Sequence, residues 1–180
     1  MEVSTKVGEK MLDWSKSHNG VMLCTFSQTV ELMPEVAPIL ETIKPHLEFE
    51  ESEYVVDVKV HMLMPGEYPC IPNWHRDFVP RDEELNQKPK EISGEKMYLW
   101  VSGEPKTEWK TYSKKIETEV GDWVEFTQND FHRGIKSNIH TWRCFIRIIP
   151  KKFIHPTTIN IGQIRRHSQV YIEEPNKFRW

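Results

Sequence analysis

The segment Pro72-Asn73-Trp74-His75-Arg76-Asp77-Phe78 sets an imidazole and a carboxylate two positions apart. In extended backbone, residues two apart point to the same side, so His75 and Asp77 present a nitrogen and an oxygen donor to one point in space. A His-x-Asp tripeptide occurs often by chance, and its weight depends on what accompanies it. Further along, Gly121-Asp122-Trp123-Val124-Glu125-Phe126 reads as a turn and a strand, followed by Asp130-Phe131-His132-Arg133-Gly134 and then by Trp142-Arg143-Cys144-Phe145-Ile146-Arg147-Ile148-Ile149. Arg143 and Arg147 share one face of that last strand with Phe145. The other face, Trp142, Cys144, Ile146 and Ile148, reads as core. Two arginines on an inward face require an anionic partner, because a buried unpaired guanidinium is prohibitively costly.

The elements that carry these residues are mostly strands. Segments 54–63, 97–101, 108–112, 115–119, 122–126 and 142–149 are β-branched or aromatic and are separated by turn residues such as Met64-Pro65-Gly66 and Val120-Gly121-Asp122. Many short strands at short intervals point to a β-sandwich or barrel. The twelve prolines leave little room for long helices. The best helix is 34–44, with Pro34 at its first position, Glu35 in its first turn, Val36, Ile39, Leu40 and Ile43 on one face, and Pro45 at its end. The polar stretch 79–95 reads as a long surface loop, either an ordinary insertion or a lid. The tail after Pro150 mixes Lys151, Lys152, Arg165, Arg166, Lys177 and Arg179 with Ile159, Ile161, Ile164, Val170, Tyr171, Ile172, Phe178 and Trp180. It is too apolar for a solvated tail, and wrapping over the core or joining a neighbour both fit it.

Taken together, the His-x-Asp pair, the later His within a Gly-Asp … His-Arg-Gly segment and the arginine that follows resemble the Fe(II)/2-oxoglutarate-dependent oxygenases. The resemblance spans about 55–150. It implies a mainly β fold, a double-stranded β-helix or jelly roll related to the cupins, with one or a few short flanking helices. It also implies that His75, Asp77 and His132 form a facial triad on one Fe(II), which leaves three positions on the metal open for 2-oxoglutarate and O₂. The activity implied is oxidation of an organic substrate coupled to release of succinate and CO₂. Arg143 would clasp the far carboxylate of 2-oxoglutarate with its planar fork, and Arg147 is the rival for that role. Tyr98 shares a strand face with Trp100; if that face is inward, Tyr98 donates to the cosubstrate, and otherwise the pair is aromatic core. Trp74 would shape the substrate mouth or cap the core. Arg76 and Arg133 point away on parity, and His61 reads as a satisfied structural histidine. Three other readings stand beside this one: a cupin-like metal enzyme that does not use 2-oxoglutarate, a non-catalytic jelly-roll binding module, and, ranked below them for want of a placed general base, a zinc hydrolase, since two histidines and one aspartate can hold zinc as well.

The bulk composition bounds the rest. The chain has 180 residues, 28% of them charged, with a formal net charge of −3. One domain over 1–180 is expected, with a barrel core at about 54–150 and a basic, apolar extension at 151–180. The small negative charge does not favour a nucleic-acid substrate, although a local basic patch permits one. A small molecule fits equally well. Cys24, Cys70 and Cys144 are odd in number and widely spaced, which argues against disulfides and thiolate zinc sites. The N-terminal residues lack the apolar centre of a secretory signal and no run is long enough to span a bilayer, so a cytoplasmic location is expected.

Overall fold

A computed structural model describes residues 2–3, 12–84, 86–110, 115–156, 158 and 161–172. Its strands are β1 (Glu2–Val3), β2 (Val21–Met22), β3 (Tyr54–Leu63), β4 (Met97–Val101), β5 (Thr107–Lys110), β6 (Lys115–Glu117), β7 (Trp123–Phe126), β8 (Phe131–Gly134), β9 (Thr141–Pro150) and β10 (Gln163–Ile164). The helices are α1 (Phe26–Leu32) and α2 (Ala37–Ile43). Among the described residues, all pairings are antiparallel. One sheet runs β1-β7-β4-β9-β3 and a second runs β6-β5-β8, with β10 paired to β2. The fold is mainly β, a double-stranded β-helix with short flanking helices.

The larger sheet has two buried faces, and its alternation divides them. Val56, Val58 and Val60 of β3, Tyr98 and Trp100 of β4, Trp123 of β7 and Cys144, Ile146 and Ile148 of β9 pack with Trp14, Phe26, Val36, Ile39, Leu40 and Ile43. The opposite face carries Val55, Met97, Leu99, Val101, Phe126 and Ile149, which join Trp109 of the smaller sheet in a second cluster. Burying one such Val, Leu or Phe side chain is worth about 1.5–3 kcal/mol, so both layers hold the sheet in place. Trp142 is a correction to the expected core face. It is 41% exposed, because it lies where β9 begins, beyond the cover of the helices.

The expected helix 34–44 is present as a 3-10 turn (Pro34–Val36) that runs into α2. Helix α1 was not anticipated. Its N-terminus is a capping box in which Thr25 Oγ1 accepts from the Gln28 backbone N–H at 3.2 Å and Gln28 Oε1 accepts from the Thr25 N–H at 3.0 Å. Expected strand 108–112 is observed as β5, ending at Lys110, with 111–112 outside the described residues. Expected strand 115–119 ends at Glu117. Strand β8 is not among the expected strands, and its partners are long-range.

The tail wraps over one end of β3. β10 pairs with β2, and Arg165 donates Nε to Val58 O at 2.9 Å. Ser168 Oγ donates to Val60 O, and Tyr171 forms a bridge with Tyr68 through hydrogen bonds of 2.7 and 3.0 Å. Residues 173–180 lie outside the described part. The loop 79–95 is clamped at both ends by buried Gln128. Its Nε2 donates to Phe78 O at 2.6 Å and its Oε1 accepts from Ser93 N–H at 3.1 Å. Among the described residues, no helix is long and apolar enough to cross a membrane.

Candidate metal centre

His132 lies on β8 directly opposite Trp109 of β5, and on its other side it forms an antiparallel bridge with His75, with N–H···O bonds of 3.0 Å in both directions. Residues opposed across antiparallel strands project to the same face. His75, His132 and Trp109 therefore all face the larger sheet, and Asp77, two residues on from His75, follows. Trp109 and Phe126 pack around the His132 ring at centroid distances of 4.8 and 5.7 Å, and the two imidazoles are 4.4 Å apart. Gly134 permits the approach that holds this strand. A Cβ there would lie 2.7 Å from Cys70 O, and the Gly134 N–H donates to Ile71 O at 3.0 Å.

The three side chains offer ligand atoms that all lie within 4.8 Å of one another. His75 Nε2 is 4.0 Å from Asp77 Oδ1, and His132 Nε2 is 3.5 Å from Asp77 Oδ2. Each ring turns its Nδ1 to a carbonyl, Asn73 O at 2.8 Å and Asp130 O at 3.3 Å. A carbonyl only accepts, so Nδ1 carries the proton and the Nε2 lone pair faces the shared point. Burial pushes the His75 pKa down to about 4, the neighbouring His132 acting in the same direction. Its imidazole is therefore neutral near pH 7, the form that ligates. Burial pushes the Asp77 carboxyl up, but Arg147, His132 and His75 outweigh it and hold the group well below the ordinary carboxylate range. Two imidazoles and one ionised carboxylate on one side of a point form a donor set that fits a divalent metal.

These residues line a cavity of about 240 Å³. Arg147 also reaches it, donating to Asp77 Oδ2 through one amino group and to Asp57 Oδ2 at 3.0 Å through the other. Arg165 from the tail donates to the second Asp57 oxygen. Arg143 does not line the cavity. It is fully buried behind it, with Nε donating to Pro105 O at 2.9 Å and an amino group 3.4 Å from Thr107 Oγ1. Tyr98 projects from the other face of β4 and donates its hydroxyl to His46 O at 2.9 Å, in the aromatic core with Tyr54. Trp74 and Arg133 also lie off the cavity. The Arg133 guanidinium sits 4.7 Å from the Trp74 ring and pairs with Glu108, and Arg76 stacks on Phe131 at 4.9 Å.

His61 differs from its expected state. It is buried, but among the described residues neither ring nitrogen has a hydrogen-bond partner. Burial and the adjacent Arg143 and Lys59 push its pKa down to about 2. Asp57, Lys59, Arg165 and the tail residues His167, Gln169 and Tyr171 also line the cavity and were not singled out from sequence. The signal for the first two was present in β3, where Asp57, Lys59 and His61 alternate with Val56, Val58 and Val60.

No protein family and no curated protein matches the sequence. Solved structures with a similar course of chain include a prolyl 4-hydroxylase from Phytophthora capsici, at 15% identity and a TM-score of 0.40, covering 75% of this chain and 45% of that one. A vicilin from Corylus avellana (hazelnut) has 13% identity and a TM-score of 0.35, over 63% of this chain and 25% of that one. A cupin from Bacteroides fragilis has 14% identity and a TM-score of 0.32, over 61% and 78%. The chain spans less than half the length of the hydroxylase and a quarter of the vicilin. The chemistry of the site rests on its own side chains.

Proposed function

We propose that this chain is an Fe(II)- and 2-oxoglutarate-dependent dioxygenase that oxidises a small organic substrate. The observation that carries the reading is the convergence of His75 Nε2, Asp77 and His132 Nε2 on one point in the lining of the cavity. A bound iron would supply the activation of O₂ that no side chain can provide, with 2-oxoglutarate as the reductant. The chain's own residues orient and shield. Asn73 O and Asp130 O fix the ring tautomers, Arg147 keeps Asp77 ionised, and Trp109 and Phe126 limit water around His132.

One observation favours a second reading, a metal-binding jelly roll that does not use 2-oxoglutarate. Both arginines proposed as its anchor are otherwise engaged, Arg147 by two aspartates and Arg143 by Pro105 and Thr107. Anaerobic titration separates the two. Fe(II) followed by 2-oxoglutarate gives a visible charge-transfer band if the cosubstrate chelates the metal, and no band leaves the second reading. His75→Ala, Asp77→Ala and His132→Ala should each abolish Fe(II) binding; undiminished binding in any of them removes that residue from the site.

A further inference from the structure

The charges around the cavity do not balance. Arg147 is matched by Asp77 and Asp57, and Arg165 by Asp57. That leaves Lys59, on the same face of β3 as Asp57. Its Nζ donates to a neutral acceptor, Pro69 O at 3.0 Å, and no described carboxylate pairs with it. Cations withdrawn from water are normally paired, and half-buried Lys59, left with a neutral carbonyl, lacks the attraction that offsets its partial desolvation. The cavity, at about 240 Å³, is smaller than a drug-sized pocket and suits a small molecule.

We infer that Lys59 is the carboxylate-binding group of this cavity, pairing its Nζ with an acidic small molecule seated beside His75, Asp77 and His132. The inference rests on the same cavity as the proposed function and names the class of ligand it takes. Burial pushes the Lys59 ammonium down to about 8, so the group is still mostly protonated at neutral pH. A metal at the triad would add positive charge and strengthen the preference for an anion. Lys59 stands on β3 opposite Phe145 of β9, diagonal to both Arg143 and Arg147, and its flexible stem presents a point charge that a single carboxylate satisfies.

The test is calorimetric titration of the full chain with succinate and 2-oxoglutarate, with succinamide as the uncharged control, on wild type, Lys59→Met and Lys59→Arg. Thermal unfolding checks that each variant is folded. Methionine fills the same space without the charge, and arginine retains the charge. Metal-free wild type should bind succinate over succinamide. Lys59→Met should weaken that binding by at least roughly tenfold, and Lys59→Arg should stay within about threefold. Two further arms locate the carboxylate. A matching loss in 2-oxoglutarate binding to Mn(II)-loaded protein assigns Lys59 to the cosubstrate. A loss confined to succinate, with protein already holding Mn(II) and 2-oxoglutarate, assigns it to the second ligand. Either result supports the inference. Equal dicarboxylate affinity in wild type and Lys59→Met, or no dicarboxylate binding by wild type, overturns it. The metal-free arm does not depend on Mn(II), so a wild type that takes no Mn(II) but binds succinate through Lys59 overturns the proposed function alone.

Discussion

Arg147 bridges Asp77 and Asp57, holding one carboxylate with each amino group. Asp57 and Arg147 are direct cross-strand neighbours of β3 and β9, whereas Asp77 arrives from a separate segment. One guanidinium thus ties a metal-ligand candidate to the larger sheet. It also sits where a metal would sit electrostatically, as the counter-charge of Asp77.

Removing that guanidinium should therefore have opposite effects on folding and on metal binding. Arg147→Met leaves half-buried Asp77 without its cation and buried Asp57 with Arg165 alone, and should cost up to about 3–5 kcal/mol in metal-free protein. A divalent ion then replaces the lost charge. The rise in Tm on adding Mn(II) should be larger in the variant than in wild type, and an equal or smaller rise would show that Arg147 supports the metal rather than standing in for it.

His61 should shape the acid limb of stability. Its folded pKa, about 2, lies below the ordinary value of 6.5, so the unfolded chain binds the proton more readily. Its contribution is full above about pH 6.5 and is lost as pH falls, by at most about 1.4 kcal/mol per pH unit. His61→Leu removes that proton and two unpartnered nitrogens. The stability difference between the two proteins, from urea unfolding, should shift in the variant's favour by about 2 kcal/mol between pH 6.5 and 5. A parallel pH dependence would mean that His61 titrates normally in the fold.

Arg165 should anchor the tail that forms one wall of the cavity. It bonds both Asp57 and Val58 O, so Arg165→Ala loses a charged pair and a backbone clasp together. Hydrogen exchange should quicken at the Tyr171 and Tyr68 amides, which bond each other's carbonyls, while the β3–β9 ladder keeps its protection. Unchanged exchange at Tyr171 would place the anchor elsewhere, in Ser168 or β10.

Gln128 should hold the 79–95 loop. Gln128→Ala leaves Phe78 O and the Ser93 N–H without their partner and should cost about 1–3 kcal/mol. Limited proteolysis should cut within 79–95 faster than in wild type, and an unaltered cleavage rate would show that the loop is held by other contacts.

Local patterns were enough to read the strands β3, β4, β7 and β9, the 34–44 helix and the His75–Asp77 pair, because alternation, caps and parity are properties of neighbouring residues. Strand β8 was not legible in this way. Its four residues have no strong period, and its partners, Thr107 to Lys110 and His75, come from elsewhere in the chain. The capping box at Thr25, by contrast, is local, since Thr25 and Gln28 stand three residues apart.

Parity along β9 put Arg143 and Arg147 on one face, and the chain's order could go no further. Which of them meets the cavity depends on what crosses over each. Pro105 and Thr107 cover Arg143, whereas Asp77 and Asp57 face Arg147. The same limit applies to β3. Asp57, Lys59 and His61 alternating with valines look like the wet side of a half-buried strand, since a pattern of polar and apolar residues reports polarity and not exposure. The second sheet and the returning tail cover that side, which places Asp57 and Lys59 in the lining of the cavity and buries His61.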